Sequence, residues 1–164
     1  MRIIKRAIAI SGILLATLGL SLAPANATSE LPKIDRFVNQ HSGKCLEVAD
    51  WSTANGAPVR QWACTEGNNQ KWDYVNGFYV NRNSGKCLEV ADWSTAPGAA
   101  IRQWDCLGGN NQKWNIILCE RGFSCFYSNA HSARVLEIGG YSASNGAFAV
   151  QFPYNGGSNQ QWHP

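Results

Sequence analysis

A carboxylate, an indole ring and a pair of neighbouring amides recur in this chain at a constant spacing. A carboxylate accepts protons from two hydroxyl groups, an amide both donates and accepts hydrogen bonds, and an indole offers a flat apolar face to the C–H side of a ring. Together these groups suit a shallow polar site for a neutral polyol better than a deep apolar cavity. The first two sets are Glu47, Trp62, Asn69 and Gln70, followed by Glu89, Trp104, Asn111 and Gln112.

The two sets lie inside a repeat that organises the whole chain. Residues 42–72 and 84–114 are identical at 25 of 31 aligned positions, and copies at a period of some forty residues are repeated supersecondary units. A third, diverged copy begins near Ser132 and is shifted by 48 rather than 42 residues, with the six extra residues around Cys119–Cys125. The set of the third copy is Glu137, Phe152, Asn159 and Gln160.

Each copy contains short apolar segments separated by Gly, Asn, Asp or Ser, which predicts about four strands per copy and an all-β fold. Asn76-Gly77, between two apolar pairs, is a strong hairpin signal. Three copies are too few for a propeller, and a solenoid of three would need polar caps that the chain lacks. A closed barrel of hairpins removes exposed sheet edges. The sequence therefore predicts a β-trefoil with three pseudo-symmetric repeats, over about residues 37–76, 77–118 and 119–164.

The N-terminus has the composition of a secretory signal peptide. Three basic residues precede an uncharged, mostly apolar run over residues 7–23, and Ala25-Asn26-Ala27 carries small residues where a signal peptidase cleaves. The alternative is a membrane anchor, for which the run is short of the ~20 residues that a spanning helix needs. We therefore predict a cleaved leader over residues 1–27, a linker over residues 28–36 and a secreted, extracellular protein.

Cleavage would leave a chain without net charge. The leader holds three of the 14 basic residues and none of the 11 acidic ones, so 11 of each remain. A neutral chain gives no electrostatic argument for a nucleic acid or an anionic membrane as partner. We expect a monomer that binds neither of them and does not insert into a membrane.

All six cysteines lie beyond the predicted leader, and an even number in a secreted chain indicates three disulfides. Cysteines at equivalent positions of the first two copies should pair in the same way, which leaves the last two for each other. The chain has no Cys-x-x-Cys motif, so we expect neither a metal site nor a cofactor. The predicted pairs are Cys45–Cys64, Cys87–Cys106 and Cys119–Cys125.

A Gln-x-Trp motif closes each copy, at residues 70–72, 112–114 and 160–162. With Cys-Leu-Glu-Val upstream and Trp-x-Cys between, the chain resembles the ricin B-chain-type lectin domain over nearly all of residues 37–164. Three such motifs in register with two matched cysteine pairs are highly specific. The resemblance implies a β-trefoil that binds carbohydrate, commonly galactose-like sugars or polysaccharides such as xylan.

The resemblance also implies a role for each member of the three sets. The acidic residue two places after the first cysteine accepts sugar hydroxyls, and the aromatic residue two places before the second cysteine stacks on the sugar. The Asn-Gln pair completes the site. Many members have Asp where this chain has Glu, and Gln where it has Arg60, Arg102 and Val150. These departures fall on residues that would set the identity of the sugar.

Other repeated residues have two interpretations each. Trp72 is expected to fill the core or cap a hairpin rather than contact ligand, whereas Trp51 is either a pocket wall or part of loop packing. Asp50 is either a weaker second acceptor for ligand or a cap for the turn at Ser52-Thr53. Arg60 either pairs with a neighbouring carboxylate or contacts an acidic sugar. The equivalents are Trp114 and Trp162, Trp93 and Tyr141, Asp92, and Arg102.

The recurrence of one carboxylate per copy favours binding over catalysis, because catalysis needs a unique constellation with two groups driven to different pKa values. We predict a non-enzymatic lectin that binds a polysaccharide or clustered glycan through the first two copies. The third copy is expected to be weaker, because it lacks one disulfide, the arginine and, at Gly140, the aspartate. The alternative is a trefoil that acts by protein contact, as a protease inhibitor or a noncovalent delivery subunit of a toxin. The three histidines are scattered and receive no role.

Overall fold

The computed structural model describes residues 35–120 and 124–163, so the predicted signal peptide and most of the linker lie outside the described residues. Twelve strands form the described fold, four in each copy, as the sequence predicted, and we call each copy a lobe. Lobe 1 contains β1 (Val38–Asn39), β2 (Cys45–Val48), β3 (Val59–Trp62) and β4 (Trp72–Val75). Lobe 2 contains β5 (Phe78–Asn81), β6 (Cys87–Val90), β7 (Ile101–Trp104) and β8 (Trp114–Glu120). Lobe 3 contains β9 (Ser124–Asn129), β10 (Val135–Ile138), β11 (Ala149–Phe152) and β12 (Trp162–His163).

Six of the strands close into a barrel. Direct pairing links β1 to β12, β12 to β9, β9 to β8, and β4 to β5. A bridge between Phe78 and Lys113 joins β5 to the start of β8, and the Trp72 amide donates to the Asp35 carbonyl ahead of β1 at 3.0 Å. A closed ring removes the sheet edges that would otherwise be open to pairing. The other six strands form the hairpins β2–β3, β6–β7 and β10–β11, each with four residue pairs in register.

The core is built from threefold sets of side chains, one from each lobe. Phe37, Tyr79 and Tyr127 meet edge to face, with ring centroids 4.8, 4.9 and 5.7 Å apart. Such contacts add roughly 0.5–1.5 kcal/mol each to the burial of the rings. Burial raises the pKa of both tyrosine hydroxyls. The other buried sets are Trp72, Trp114 and Trp162; Leu46, Leu88 and Leu136; Val48, Val90 and Ile138; and Val59, Ile101 and Ala149.

The tryptophans of the three Gln-x-Trp motifs are fixed in the core by their indole N–H groups as well as by their rings. A buried N–H needs an acceptor. In each lobe a backbone carbonyl in the second strand (β2, β6 or β10) supplies it. The predicted core position of these tryptophans is confirmed. The bonds run from Trp72 to Leu46 (3.2 Å), from Trp114 to Leu88 (3.0 Å) and from Trp162 to Leu136 (3.0 Å).

The turn and disulfide predictions are also confirmed. Asn76 and Gly77 form the β4–β5 turn, and both have positive φ (51° and 95°), as a type I′ hairpin requires. The disulfides are Cys45–Cys64, Cys87–Cys106 and Cys119–Cys125. The last joins register partners of the β8–β9 hairpin, whose strands have seven and six residues against four each in β4 and β5. The extra residues of the third copy therefore lengthen this hairpin. In the described ranges no helix combines the length and apolar character needed to cross a bilayer.

A buried glutamine in the second strand of each hairpin ties neighbouring lobes together. Oε1 of Gln103 accepts from Ser84 Oγ at 2.6 Å within lobe 2. Nε2 of Gln103 donates to the carbonyl oxygens of Ser52 and Ala54 in lobe 1, at 2.9 and 3.0 Å. Each lobe thus donates an amide to one neighbour and offers carbonyls to the other. The equivalent residues are Gln61, which donates into lobe 3, and Gln151, which donates into lobe 2.

We expect Gln103→Ala to lower the free energy of unfolding by roughly 2–4 kcal/mol. The change leaves two carbonyls of lobe 1 and the Ser84 hydroxyl without their partner and opens a cavity between the lobes. Equilibrium urea unfolding measures the loss. Asn68→Ala, which removes an exposed amide from a turn, is the control and should change stability by less than about 0.5 kcal/mol. Equal losses in the two variants would contradict a stabilising role for the interlobe bonds.

Candidate functional site

Lobes 1 and 2 each build a concave site from three elements: the outer hairpin (β2–β3 or β6–β7), the short 3-10 turn after the first hairpin strand, and the loop after the second. In lobe 1 the first turn is Ala49–Trp51, and the loop ends in the turn Asn68–Gln70. The pocket of lobe 1 has a volume of about 190 Å³ and that of lobe 2 about 300 Å³. Both volumes lie at or below the lower end of the range for ligand pockets, so the sites are shallow. The lobe 1 lining includes Glu47, Asp50, Trp51, Arg60, Trp62 and Thr65.

Glu47 lies at the base of the lobe 1 pocket and is 4% exposed. Its register partner on β3 is Arg60, whose Nε donates to Oε1 of Glu47 at 2.9 Å. Oε2 accepts from Gln70 Nε2 at 3.0 Å and from Asn69 Nδ2 at 3.3 Å. Both carboxylate oxygens are therefore hydrogen-bonded inside the lobe, as a buried charge requires.

Arg60 lies between Glu47 and the exposed Asp50. Its Nη2 donates to Asp50 Oδ1 at 2.9 Å, and its guanidinium carbon is 4.6 Å from the centre of the Trp62 ring, a cation–π contact. Burial lowers the pKa of Arg60, but the hydrogen bonds to the two carboxylates outweigh burial and raise it above its ordinary value. The predicted pairing of the arginine with a carboxylate is confirmed. The turn-capping interpretation of Asp50 is wrong. Its side chain binds Arg60, and the turn is capped by Ser52, whose Oγ accepts the Ala54 N–H at 3.2 Å.

Lobe 2 repeats this arrangement. Arg102 Nε donates to Glu89 Oε1 at 2.8 Å, and its Nη1 lies 3.1 Å from Asp92 Oδ1. The guanidinium carbon is 4.3 Å from the centre of the Trp104 ring. Gln112 Nε2 donates to Oε2 of Glu89 at 2.9 Å. The arginine therefore occupies the same position in the pockets of lobes 1 and 2.

The aromatic face left open in lobe 1 belongs to Trp51 more than to Trp62. Trp62, predicted to stack on a ligand, is 37% exposed, and Arg60 lies over one of its faces. Trp51 is 55% exposed and lines the same pocket. Asn83 of lobe 2 holds it in place, because its Nδ2 donates to the Trp51 carbonyl at 3.0 Å. Both interpretations of Trp51 hold, because its ring lines the pocket and also packs against Gly67 of the loop. The equivalent exposed rings are Trp93 and Tyr141.

The Asn-Gln pairs predicted to contact ligand line the floor of the pockets in lobes 1 and 2. Asn69 and Gln70 are buried, and their amide N–H groups donate to Glu47 and to backbone carbonyls. Oε1 of Gln70 accepts from the Thr65 amide at 2.7 Å, which fixes the loop. These amides therefore orient the glutamate and shape the pocket from below. Their buried equivalents are Asn111, Gln112, Asn159 and Gln160.

Lobe 3 keeps the glutamate without the arginine. Glu137 is 6% exposed, and its Oε2 accepts from Gln160 Nε2 at 2.8 Å. Its register partner is Val150, and Gly140 stands where the other two lobes have an aspartate. Burial raises the pKa of Glu137, and the hydrogen bonds from Gln160 and Asn159 offset this only in part. The predicted aromatic residue Phe152 is 37% exposed at the end of β11.

Two histidines without a sequence-based role lie against pocket walls. The His41 ring is 4.2 Å from the Tyr141 ring, and His131 Nε2 lies 2.9 Å from the Trp93 carbonyl oxygen. Each histidine comes from the lobe next to the pocket that it touches, so spacing within one repeat could not reveal the contact. Neither belongs to a metal-binding cluster: over residues 35–120 and 124–163, no three His, Cys, Asp or Glu side chains are grouped to hold an ion.

Comparison with known proteins identifies the fold family. The chain matches the ricin-type beta-trefoil lectin domain over residues 34–162. It is similar to the structure of a designed threefold symmetric protein, ThreeFoil, with 40% identity and a TM-score of 0.74 over 78% of this chain and 94% of that one. An exo-beta-1,3-galactanase from Clostridium thermocellum is 32% identical, with a TM-score of 0.73 over 82% of this chain and 30% of that one. An agglutinin from Abrus precatorius shares the fold at 24% identity, with a TM-score of 0.69 over 85% of this chain and 51% of that one.

A curated relative matches a shorter stretch. Serine protease 1 from Rarobacter faecitabidus is 44% identical over 36 residues, which are 22% of this chain and 7% of that protein. This chain therefore spans a small part of the protease and less than a third of the galactanase. The similarity concerns one module of those longer proteins.

We expect Gly109→Ala to distort the pocket of lobe 2. An added Cβ would lie 2.6 Å from Asn111 Oδ1 and 2.8 Å from Trp93 Cζ2, closer than van der Waals contact. Overpacking of this kind costs about 1–3 kcal/mol and should displace the Trp93 ring. Urea unfolding measures the loss of stability, and near-ultraviolet circular dichroism reports a change in the surroundings of the Trp93 ring. The control is Gly139→Ala, whose added Cβ meets its nearest atom at 3.5 Å. If both variants are equally stable with unchanged spectra, the close approach does not exist.

We expect Glu137→Gln to stabilise the protein more at pH 7 than at pH 4. Because burial raises the pKa of Glu137 in the folded state, the native protein binds this proton more tightly than the unfolded chain. Stability from this group is present below its unfolded pKa and is lost as the pH rises through the folded pKa. Glutamine does not titrate and can still accept from Gln160. Urea unfolding of both proteins from pH 4 to pH 7 gives the difference, in which all other groups cancel. A difference that is constant with pH would contradict the raised pKa.

Proposed function

Because the chain belongs to the ricin-type β-trefoil lectin family, we propose that it is a secreted lectin that binds a polysaccharide or a clustered glycan through several shallow sites. The buried glutamate and its amides form the base of each site. The exposed ring of Trp51 or Trp93 forms a wall in the first two lobes.

One observation carries this proposal: the same pocket occurs twice on one closed barrel, with an exposed indole beside an ion-paired carboxylate. In lobe 1 the indole of Trp51 can lie against the C–H face of a sugar ring. Asp50 and Arg60, at the edge of the pocket, offer an acceptor and donors for hydroxyl groups. A shallow pocket of about 190 Å³ suits one sugar unit of a longer chain.

Repetition of the site favours a polymeric or clustered ligand. A single sugar site binds on the order of millimolar, which corresponds to about 4 kcal/mol. Two or three sites on one rigid body raise the apparent affinity by ~10² or more when the ligand offers several sugars. The hydrogen bonds of Gln61, Gln103 and Gln151 between lobes hold the sites in a fixed relation, so little entropy is lost when a second site is filled.

A galactan is the first ligand to test, and a xylan is the second. The galactanase that resembles this chain acts on a galactan, although the similarity covers 30% of that protein. The three disulfides suit an oxidising extracellular compartment, in keeping with secretion.

We expect Trp51→Ala and Trp93→Ala each to weaken binding to an immobilised galactan or xylan by roughly tenfold. The double variant should lose avidity by ~10² or more, because both repeated sites lose their wall. Binding to glycan arrays and isothermal titration with oligosaccharides measure the effect.

The control is Tyr74→Ala, which removes an exposed aromatic ring from β4, outside the two pockets. This variant should bind as the parent does. If the parent protein binds no galactosyl, xylosyl or other glycan at millimolar sugar, the lectin proposal fails. A protease inhibition assay run alongside would then test the protein-contact alternative.

A further inference from the structure

The residue opposite the pocket glutamate differs among the lobes. Glu47 is the register partner of Arg60 in lobe 1, and lobe 2 has the same pair. In lobe 3, Glu137 is the register partner of Val150. One strand position therefore carries a cation in two lobes and an aliphatic side chain in the third.

In lobe 1, Arg60 already occupies the groups that a sugar would use. It bonds to Oε1 of Glu47, and the two buried amides bond to Oε2. It also lies over the Trp62 ring. A ligand that reached Glu47 would have to break both ion pairs of the arginine and leave a buried carboxylate uncompensated, which is strongly unfavourable. The groups that the ligand meets first are the guanidinium and Asp50, whose side chain is 82% exposed.

In lobe 3 the glutamate has no arginine opposite it. Glu137 is held by amides alone: Gln160 Nε2 donates to its Oε2 at 2.8 Å, and Asn159 also donates to the carboxylate, but among the described residues no arginine or lysine pairs with it. Val150, beside it, has no donor to offer. A carboxylate in a residue that is 6% exposed and that has no cation beside it is incompletely compensated, and its remaining lone pairs suit two hydroxyl groups of a ligand.

The aromatic rings of lobe 3 are also placed for contact with a neutral ring. Tyr141 is 52% exposed, and it is held from two sides by the Ser158 hydroxyl, 2.6 Å from its own, and by the His41 ring at 4.2 Å. Phe152 is 37% exposed. In the described part of the chain, guanidinium groups lie over the tryptophans of lobes 1 and 2 but not over Phe152.

We propose that the lobes bind carbohydrate through different groups, and that the residue opposite the glutamate decides which. Lobe 3 presents Glu137 directly to neighbouring hydroxyls of a neutral sugar. Lobes 1 and 2 present the arginine–aspartate pair instead, because Arg60 and Arg102 are bonded to the glutamates and block a ligand from reaching them. This inference rests on the proposed carbohydrate binding, and it makes the diverged third lobe the site with the highest affinity for a neutral monosaccharide.

Nuclear magnetic resonance titration of the full chain resolves the lobes one by one. Galactose and xylose, added separately, should shift the amide signals of residues 139–141 and 158–160. The sugar concentration at half of the full shift should be at least tenfold lower for these amides than for the indole N–H groups of Trp51 and Trp93. Val150→Arg should restore the ion pair in lobe 3 and weaken binding there at least tenfold, while the responses of lobes 1 and 2 persist.

Val150→Met is the matched control, because it adds length at the same position without a donor for Glu137. It should weaken lobe 3 binding by less than about threefold. The amide spectrum of each variant shows whether it is folded. If Val150→Arg perturbs the fold, Glu137→Gln tests the same carboxylate without added bulk and should weaken lobe 3 binding at least tenfold.

The outcomes separate this inference from the proposal on which it rests. Equal midpoints in the three lobes, or lobe 3 binding that survives both Val150→Arg and Glu137→Gln, would overturn the inference and leave the lectin function intact. A complete absence of shifts in every lobe, with galactose, xylose and their oligosaccharides, would remove the lectin function itself.

Discussion

A carboxylate buried at the base of each lobe must be supplied with hydrogen-bond donors, and the surrounding structure is arranged to supply them. Gln70 shows how far this constraint reaches. Its Nε2 binds Glu47 while its Oε1 holds the Thr65 amide, so the side chain that satisfies the charge also shapes the loop of the pocket. Two residues later, Trp72 enters the core. The Gln-x-Trp motif therefore joins the pocket to the interior of the barrel.

The lobes depend on one another, although each contains a complete repeat. Gln103 donates into the neighbouring lobe, and the Trp51 wall of lobe 1 is held by Asn83 of lobe 2. A lobe removed from the barrel would lose part of its core and the hydrogen bond that supports one wall of its pocket. Threefold closure consequently serves stability and binding together, because the contacts that seal the barrel also set the geometry of the sites.

The fold was predictable because its signals are local or repeated. Asn76-Gly77 favours one turn type wherever it occurs between apolar runs, and the equivalent positions of Cys45 and Cys87 imply equivalent partners. The site was predictable only in part. The glutamates were identified, but the ring of Trp62 is covered by Arg60, and the open ring beside it is Trp51. Spacing along the chain does not tell which face of a ring a neighbour covers.

By itself, the sequence determined the number of lobes, the strand content, the cysteine pairs and the residue types at the base of each pocket. These properties follow from periodicity and repetition, which can be read from the order of residues in the sequence. Only the tertiary structure decided that Arg60 binds Glu47 and that His41 meets Tyr141. Only the tertiary structure placed Val150 opposite Glu137, where the other two lobes have an arginine opposite the glutamate. The physical reason is that such contacts depend on distances across hairpins and between lobes, which the barrel sets when it closes.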